Sequence, residues 1–152
     1  MQAGDLAPDF TAPIQDGTML TLSAQRPKPV VLYFYPKNNT PGCTTESKDF
    51  TALAPEFEAA GATVIGVSKD SVKKHANFIA RQDLGVTLVS DADTTICEDY
   101  GVWVEKQMYG KTHMGIQRTT VLIDAHGRIA RVWPKVKVAG HAAEVLDAVR
   151  AL

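Results

Sequence analysis

Cys43 is the residue of this chain whose type and position are best suited to chemistry. It follows an apolar run at residues 30–35 and a turn that ends in Pro41 and Gly42. It also opens a segment with helical periodicity, so the thiol is expected at a helix N-terminus, where unpaired backbone N–H groups and the helix dipole favour the thiolate. The thiolate is the nucleophilic form. The position alone leaves two interpretations open, a reactive thiolate and a buried cysteine that packs as a small hydrophobic side chain.

The composition of the chain excludes several functions. Its 152 residues predict one domain, residues 1–152, with a sizeable core. The formal net charge is −1 and no basic stripe is present, so nucleic acid is not expected as a partner. No apolar run approaches the ~20 residues that span a membrane. The N-terminus lacks the pattern of a signal peptide, so a cytoplasmic location is the default expectation.

The cysteines and histidines do not form a recognisable metal site. The chain has two cysteines, Cys43 and Cys97, and neither belongs to a CxxC pair. Its four histidines lack the short-range spacing of zinc ligands. We therefore expect neither a disulfide scaffold nor a metal or other cofactor.

Apolar periodicity predicts an α/β fold that would place Cys43 between a strand and a helix. Strands are predicted at residues 30–35, 62–67, 87–89, 118–124 and 128–133, and helices at residues 43–60, 71–84, 94–100 and 140–152. Asp16-Gly17 indicates a hairpin between residues 10–12 and 19–22. The order of these elements predicts a central mixed β-sheet flanked by helices, with an N-terminal β-hairpin.

Four details of this prediction concern particular residues or segments. Pro55 is expected to kink or divide the helix at residues 43–60. Asp93 is expected to cap the short helix at residues 94–100, and residues 104–117 are expected to be irregular. In the helix at residues 71–84, the side chains expected to face the core are Val72, Ala76, Ile79 and Ala80.

The residues around Cys43 resemble a known active site. Pro36, Thr40 and Cys43 have the spacing of the peroxiredoxin motif, and residues 34–46, FYPKNNTPGCTTE, resemble the subfamily called PrxQ or bacterioferritin comigratory protein. The similarity continues through residues 101–103, 109–111 and 115–118. It implies a thioredoxin-like fold and a thiol peroxidase that reduces hydrogen peroxide and organic hydroperoxides.

The resemblance also implies a role for each motif residue. Cys43 would attack the peroxide and become a sulfenic acid. Thr40 would donate its hydroxyl to a peroxide oxygen, Pro36 would shape and dehydrate the pocket, and Arg118 would stabilise the thiolate and the peroxide. Without the resemblance, Thr40 is a turn or cap residue and Arg118 an arginine paired at a sheet edge.

Glu46 lies three residues after Cys43 on the same helical face. An unpaired carboxylate there would disfavour the thiolate, whereas a carboxylate near a helix N-terminus is otherwise favourable. We therefore expect an arginine such as Arg118 to neutralise Glu46 and to be held in place by it.

The recycling step has two interpretations. Many relatives carry a resolving cysteine five residues after the first, where this chain has Lys48, or in the next helix, which has no cysteine. We interpret Cys97 as a buried structural residue, with atypical 2-Cys recycling through Cys97 as the alternative. The expected reductant is an external thiol, namely thioredoxin, glutaredoxin or glutathione, and the expected state is a monomer or weak homodimer.

Two other functions remain as alternatives, a thioredoxin-like disulfide reductase and a non-catalytic binding module or chaperone. The missing first cysteine of a CxxC motif disfavours the reductase, and the presence of Pro36, Thr40, Cys43 and Arg118 together disfavours the binding module. A group of large side chains before Arg118 is interpreted as core or as an apolar collar around the pocket. The group consists of Trp103, Met108, Tyr109, Met114 and Ile116.

Overall fold

The computed structural model describes residues 1–152 and has a central five-stranded sheet, two separate two-stranded sheets and five α-helices. The strands are β1 (Thr11–Pro13), β2 (Met19–Thr21), β3 (Val30–Phe34), β4 (Thr63–Ser68), β5 (Thr87–Ser90), β6 (Trp103–Met108), β7 (Lys111–Ile116), β8 (Thr119–Ile123) and β9 (Ile129–Trp133). The helices are α1 (Pro41–Ala52), α2 (Ala54–Ala59), α3 (Val72–Gln82), α4 (Ile96–Asp99) and α5 (His141–Arg150), with a 3-10 turn at Leu22–Gln25.

The central sheet is mixed, as the sequence predicts. Its strand order is β5-β4-β3-β8-β9, with β3, β4 and β5 parallel and with β8 and β9 antiparallel to their neighbours. All five residues of β3 are buried because structure covers both faces of this strand. The predicted N-terminal hairpin is also present, as β1 paired with β2.

Two hydrophobic cores lie on the two faces of the central sheet. Successive residues of β3 point to opposite faces, so Val31 and Tyr33 join one core while Leu32 and Phe34 join the other. The first core, which we call the helical core, contains Cys43, Phe50, Phe57, Phe78 and Val145. The second core, which we call the hairpin core, contains Ala12, Ile96, Cys97, Tyr100 and Ile116.

The helix predicted after the β3 turn is divided, as expected. The chain leaves helical geometry at Leu53, and α2 follows with Pro55 in its first turn. Proline is tolerated there because the first helical N–H groups have no partner within the helix. Pro41 likewise begins α1, two residues earlier than the predicted start at residue 43.

The prediction for residues 104–117 was wrong, because this segment forms the β6–β7 hairpin. The two turn residues, Tyr109 and Gly110, have φ angles of 53° and 75°. Positive φ at both central residues is the geometry of a two-residue hairpin turn whose twist matches the strands. Glycine adopts that geometry without strain, and this was the signal in the sequence.

Two helices also differ in detail from the prediction. Helix α4 begins at Ile96, and Asp91 rather than Asp93 accepts the N–H groups of Ile96 and Cys97. Helix α3 buries His75 and Phe78, while Ala76 and Ala80 are exposed. His75 can be buried because both of its ring nitrogens have hydrogen-bond partners. None of the helices is long and apolar enough to cross a membrane.

Candidate active site

The start of α1 places Cys43 at the end of the central strand β3. The chain leaves β3, turns through residues 36–40, and enters α1 at Pro41 after the extended residue Thr40. Cys43 is the third helical residue, and its side chain is 0% exposed in the helical core. The first-turn N–H groups and the positive end of the helix dipole therefore lie beside the thiol.

Arg118 lies against this thiol because of the register between β3 and β8. Phe34, the last residue of β3, pairs with Thr119, the first residue of β8, so Arg118 lies beside the turn that leads to Cys43. Its Nη2 donates to Cys43 Sγ at 3.3 Å, and its Nη1 donates to Glu46 Oε1 at 2.8 Å. One guanidinium thus joins the thiol and the carboxyl group.

Gly42 permits this close approach. A Cβ atom at this position would lie 3.2 Å from Arg118 Nη2. Any larger residue would have to displace the guanidinium or distort the first turn of α1. Sequence analysis assigned Gly42 only to the turn, since the contact depends on a residue 76 positions away in the chain.

Glu46 is almost completely buried. It is 1% exposed, and its Oε2 atom has no hydrogen-bond partner. Burial raises the pKa of Glu46 to about 7, although the charge and hydrogen bond of Arg118 act in the opposite direction. The structure thus pairs the two residues as expected, but the carboxyl group is partly protonated near neutral pH.

Thr40 and Pro36 lie on the open side of the site. Thr40 Oγ1 donates to the backbone carbonyl of Lys37 at 2.9 Å, so its proton is already used. Its oxygen lone pairs remain able to accept a hydrogen bond. Pro36 lines a cleft of about 360 Å³ whose other wall is the β6–β7 hairpin.

The large side chains of the hairpin divide into two groups. Trp103, Met114 and Ile116 line the cleft, as an apolar collar would. Met108 and Tyr109 do not line it; Tyr109, at the tip of the hairpin, is 96% exposed. Cys43, Thr40 and Arg118 do not line this cleft, so a collar around the peroxide pocket stays a prediction for Trp103, Met114 and Ile116.

Lys106 is a site neighbour that sequence reasoning missed. It lines the same cleft, packs over Gly115 and has no ion-pair partner. Burial and then the positive charge of Arg118 lower the pKa of Lys106, whereas the charge of Cys43 opposes this effect. Nothing in the sequence indicated a role for Lys106, because residues 104–117 were predicted to be irregular.

Cys97 lies apart from the other candidate residues. It is 0% exposed in the hairpin core, on the opposite face of the central sheet from Cys43. Its N–H group donates to Asp91 Oδ2 at 2.8 Å. Burial, and then the hydrogen bond and charge of Asp91, raise the pKa of the Cys97 thiol, so this thiol is not activated.

No metal site accompanies these residues: no group of three or more His, Cys, Asp or Glu side chains is arranged to hold an ion. The groups that the structure brings together at the site are the thiol, the guanidinium and the backbone N–H groups at the start of α1. Together with the mixed α/β fold, this arrangement fits the thioredoxin-like class of thiol peroxidase that the sequence resemblance implied.

Comparison with known proteins assigns the family. The family model described as AhpC/TSA matches residues 3–132. Peroxiredoxin Bcp of Xanthomonas campestris is 51% identical over 143 residues, covering 94% of this chain and 89% of that protein. Peroxiredoxin Bcp of Escherichia coli is 42% identical over 147 residues, covering 97% of this chain and 94% of that protein.

Solved structures agree with this assignment. A trapped intermediate/ligand complex of Xanthomonas campestris bacterioferritin comigratory protein has a TM-score of 0.89 at 50% identity, covering 93% of this chain and 90% of that one. A cysteine-to-serine mutant of Xylella fastidiosa PrxQ has a TM-score of 0.93 at 45% identity, covering 99% and 96%. The chain belongs to the AhpC/TSA family, as a peroxiredoxin of the PrxQ or bacterioferritin comigratory protein group.

Proposed function

We propose that this peroxidase reduces hydrogen peroxide and alkyl hydroperoxides through Cys43 and is then reduced by an external thiol, without an internal disulfide. The observation that carries the first part is the contact of Arg118 Nη2 with Cys43 Sγ at 3.3 Å, at the start of α1. A fixed cation and the helix N-terminus both favour the nucleophilic thiolate.

The chemical step transfers one oxygen to sulfur. The Cys43 thiolate attacks the terminal oxygen of the hydroperoxide, a sulfur–oxygen bond forms, and the oxygen–oxygen bond breaks. The bonding pair leaves with the alkoxide or hydroxide, which takes up a proton to become alcohol or water. Sulfur is oxidised to sulfenic acid and the peroxide is reduced. Arg118 and the N–H groups of α1 stabilise the negative charge that spreads over sulfur and both oxygens.

We assign Thr40 a hydrogen bond that accepts from the peroxide, whereas the resemblance implied one that donates to it. Because its hydroxyl proton is donated to the Lys37 carbonyl, Oγ1 is placed to accept the O–H group of the hydroperoxide. This acceptor would orient the terminal oxygen toward Cys43. The substitution Thr40→Val should slow the oxidation of Cys43, while Thr45→Val, which removes a similar hydroxyl bonded to the Pro41 carbonyl, should not.

The cleft supports alkyl hydroperoxides as substrates. Its wall includes Trp103 and Met114, which offer apolar contact to an alkyl group, and Pro36 also lines it. The structure of the Xanthomonas campestris relative was described for alkyl peroxide reduction activity. Arg118 and Thr40 would hold the peroxide group, and the cleft would hold the remainder of the molecule.

The positions of the two thiols support recycling by an external thiol. Cys43 and Cys97 lie in different cores, separated by the central sheet. A disulfide requires Cα atoms within ~7 Å, so this pair could bridge only after substantial rearrangement. Thioredoxin, glutaredoxin or glutathione would instead attack the sulfenic acid of Cys43.

Peroxide consumption and thiol counting test both parts of the proposal. Cys43→Ser should abolish consumption, and Cys97→Ser should retain it with each external thiol. After one equivalent of peroxide, mass spectrometry of the wild type should find sulfenic acid on Cys43. Near-normal turnover by Cys43→Ser would refute the first part. A Cys43–Cys97 disulfide, together with lost turnover in Cys97→Ser, would establish the 2-Cys alternative.

A further inference from the structure

The loop that leads to Cys43 is tied to the protein interior at Asn38, a residue without an assigned role. Asn38 is buried, although Lys37 and Asn39 on either side are exposed. Its N–H group donates to Asp70 Oδ2 at 2.9 Å. Its side-chain Oδ1 accepts the Tyr35 hydroxyl at 2.6 Å, and its Nδ2 lies 3.0 Å from His75 Nδ1.

The direction of these hydrogen bonds follows from the chemistry of the partners. His75 Nε2 lies 2.9 Å from the Val89 carbonyl oxygen, which can only accept, so Nε2 carries the proton. Nδ1 of the neutral ring is then an acceptor, and Asn38 Nδ2 donates to it. The amide orientation agrees, because Asn38 Oδ1 faces the Tyr35 hydroxyl. Each polar atom of the Asn38 side chain therefore has a complementary partner.

The side-chain hydrogen bond that the loop makes beyond Asn38, from Thr40 Oγ1 to the Lys37 carbonyl, stays within the loop. Asn39 has a φ of 62°, a left-handed conformation that asparagine adopts more readily than most residues other than glycine. Thr40 follows directly and precedes α1. The position of the Thr40 hydroxyl thus depends on where Asn38 is held.

We propose that Tyr35 and His75 are positioning residues that hold Asn38 and thereby place Thr40 and the start of α1 for the attack on peroxide. The proposal rests on the function proposed above for Cys43. Tyr35 acts from the end of β3 and His75 from α3, so the reacting loop is fixed to two elements of the scaffold. Neither side chain touches substrate.

A matched pair of tyrosine substitutions separates positioning from stability. Tyr35→Phe removes the hydroxyl bonded to Asn38, while Tyr100→Phe removes the hydroxyl of another buried tyrosine, bonded at 2.7 Å to the Pro8 carbonyl beside the hairpin core. Each substitution should lower the free energy of unfolding by ~1 kcal/mol. Stopped-flow oxidation of Cys43 should slow about 10- to 100-fold in Tyr35→Phe alone. Equal oxidation rates in Tyr35→Phe, Tyr100→Phe and the wild type would overturn the role of Tyr35.

A conservative rescue tests His75. Gln at this position can donate to Val89 and accept from Asn38, whereas Leu can do neither. His75→Gln should therefore oxidise faster than His75→Leu, by about tenfold. Nitrogen-15 NMR of the wild type should show a neutral His75 protonated at Nε2. Equal rates in the two variants, or a proton on Nδ1, would overturn the role of His75.

The outcomes distinguish this proposal from failure of the proposed function. If Cys43 is not the reacting residue, the wild type and Cys43→Ser behave alike toward peroxide. If only the positioning roles are wrong, Cys43→Ser is inactive while Tyr35→Phe and His75→Leu oxidise at wild-type rates.

Discussion

At the scale of single residues, Arg118 determines the electrostatics of the site. Its guanidinium contacts Cys43 Sγ and Glu46 Oε1 together, and a lysine could not hold both atoms in this fixed planar geometry. The thiolate therefore has a fixed cation, while the carboxyl group has a partner for only one of its oxygens.

Arg118→Ala should lower the thiolate fraction of Cys43 at neutral pH and slow its oxidation about 10²- to 10³-fold. Ultraviolet absorbance measures the thiolate, and stopped-flow fluorescence measures the oxidation. Adding Glu46→Gln to this variant should restore part of the thiolate, because the opposing carboxylate is removed. Identical thiolate fractions in the wild type and both variants would show that the three groups are not coupled.

Glu46 should make the folded protein less stable as the pH rises. An ordinary paired carboxylate, whose pKa is lowered by folding, has the opposite effect. Burial raises its pKa from 4.5 to about 7, so the folded protein retains a proton that the unfolded chain has released. This contribution to stability is present at low pH and is lost as the pH rises from 4.5 through about 7. The loss is on the order of 3 kcal/mol.

Urea denaturation of the wild type and Glu46→Gln between pH 4.5 and 8 measures this contribution. Groups that do not interact with Glu46 titrate equally in both proteins, so the difference between their unfolding free energies should shift in favour of Glu46→Gln as the pH rises. A difference that is constant across this range would show that the carboxyl group titrates as in an exposed residue.

At the scale of elements, the close pairing of β3 with β4 depends on glycine at position 66, which has no side chain. Gly66 faces Tyr33 across the two strands, and a Cβ atom at Gly66 would lie 2.6 Å from Tyr33 Cζ and 2.8 Å from Leu88 Cδ2. Tyr33 in turn bonds Ser47 of α1 through its hydroxyl, at 3.0 Å. The close packing of ring and backbone therefore connects the sheet to the helix that carries Cys43.

Gly66→Ala should destabilise the protein by ~1–3 kcal/mol because the added methyl overpacks this contact. Gly85→Ala is the matched control, since its Cβ would meet only Thr51 Cγ2 at an ordinary 3.4 Å. Urea denaturation of both variants checks the difference. Equal stability of the two would mean that Tyr33 moves aside at no cost.

At the scale of the whole molecule, the central sheet separates two thiols with different environments. Cys43 lies at a helix start next to Arg118, whereas Cys97 lies in the hairpin core beside the carboxylate of Asp91. The same residue type thus lies beside a cation and a helix N-terminus on one side of the sheet and beside a carboxylate on the other.

Iodoacetamide should therefore alkylate Cys43 in Cys97→Ser at least ~100-fold faster than Cys97 in Cys43→Ser at pH 7.5. Urea below the unfolding transition should accelerate mainly the reaction of Cys97, because its exposure requires the hairpin core to open. Similar rates without urea would contradict the separation of the two environments.

The sequence by itself determined the features that depend on near neighbours. The thiol at a helix start, the division of the helix near Pro55 and the mixed sheet follow from short-range backbone preferences and apolar periodicity. The peroxiredoxin family was also recognisable from residues 34–46, since the motif is contiguous.

Only the tertiary structure decided which distant residues meet. The contact of Arg118 with Cys43 depends on the register of β3 and β8, and the separation of Cys97 depends on which face of the sheet α4 covers. The burial of His75 in place of Ala76 was also not predictable from the sequence. The ring nitrogens of His75 bond to residues of other elements, which the local sequence does not reveal. Such contacts are set by strand pairing and packing across the whole chain, which local propensity does not encode.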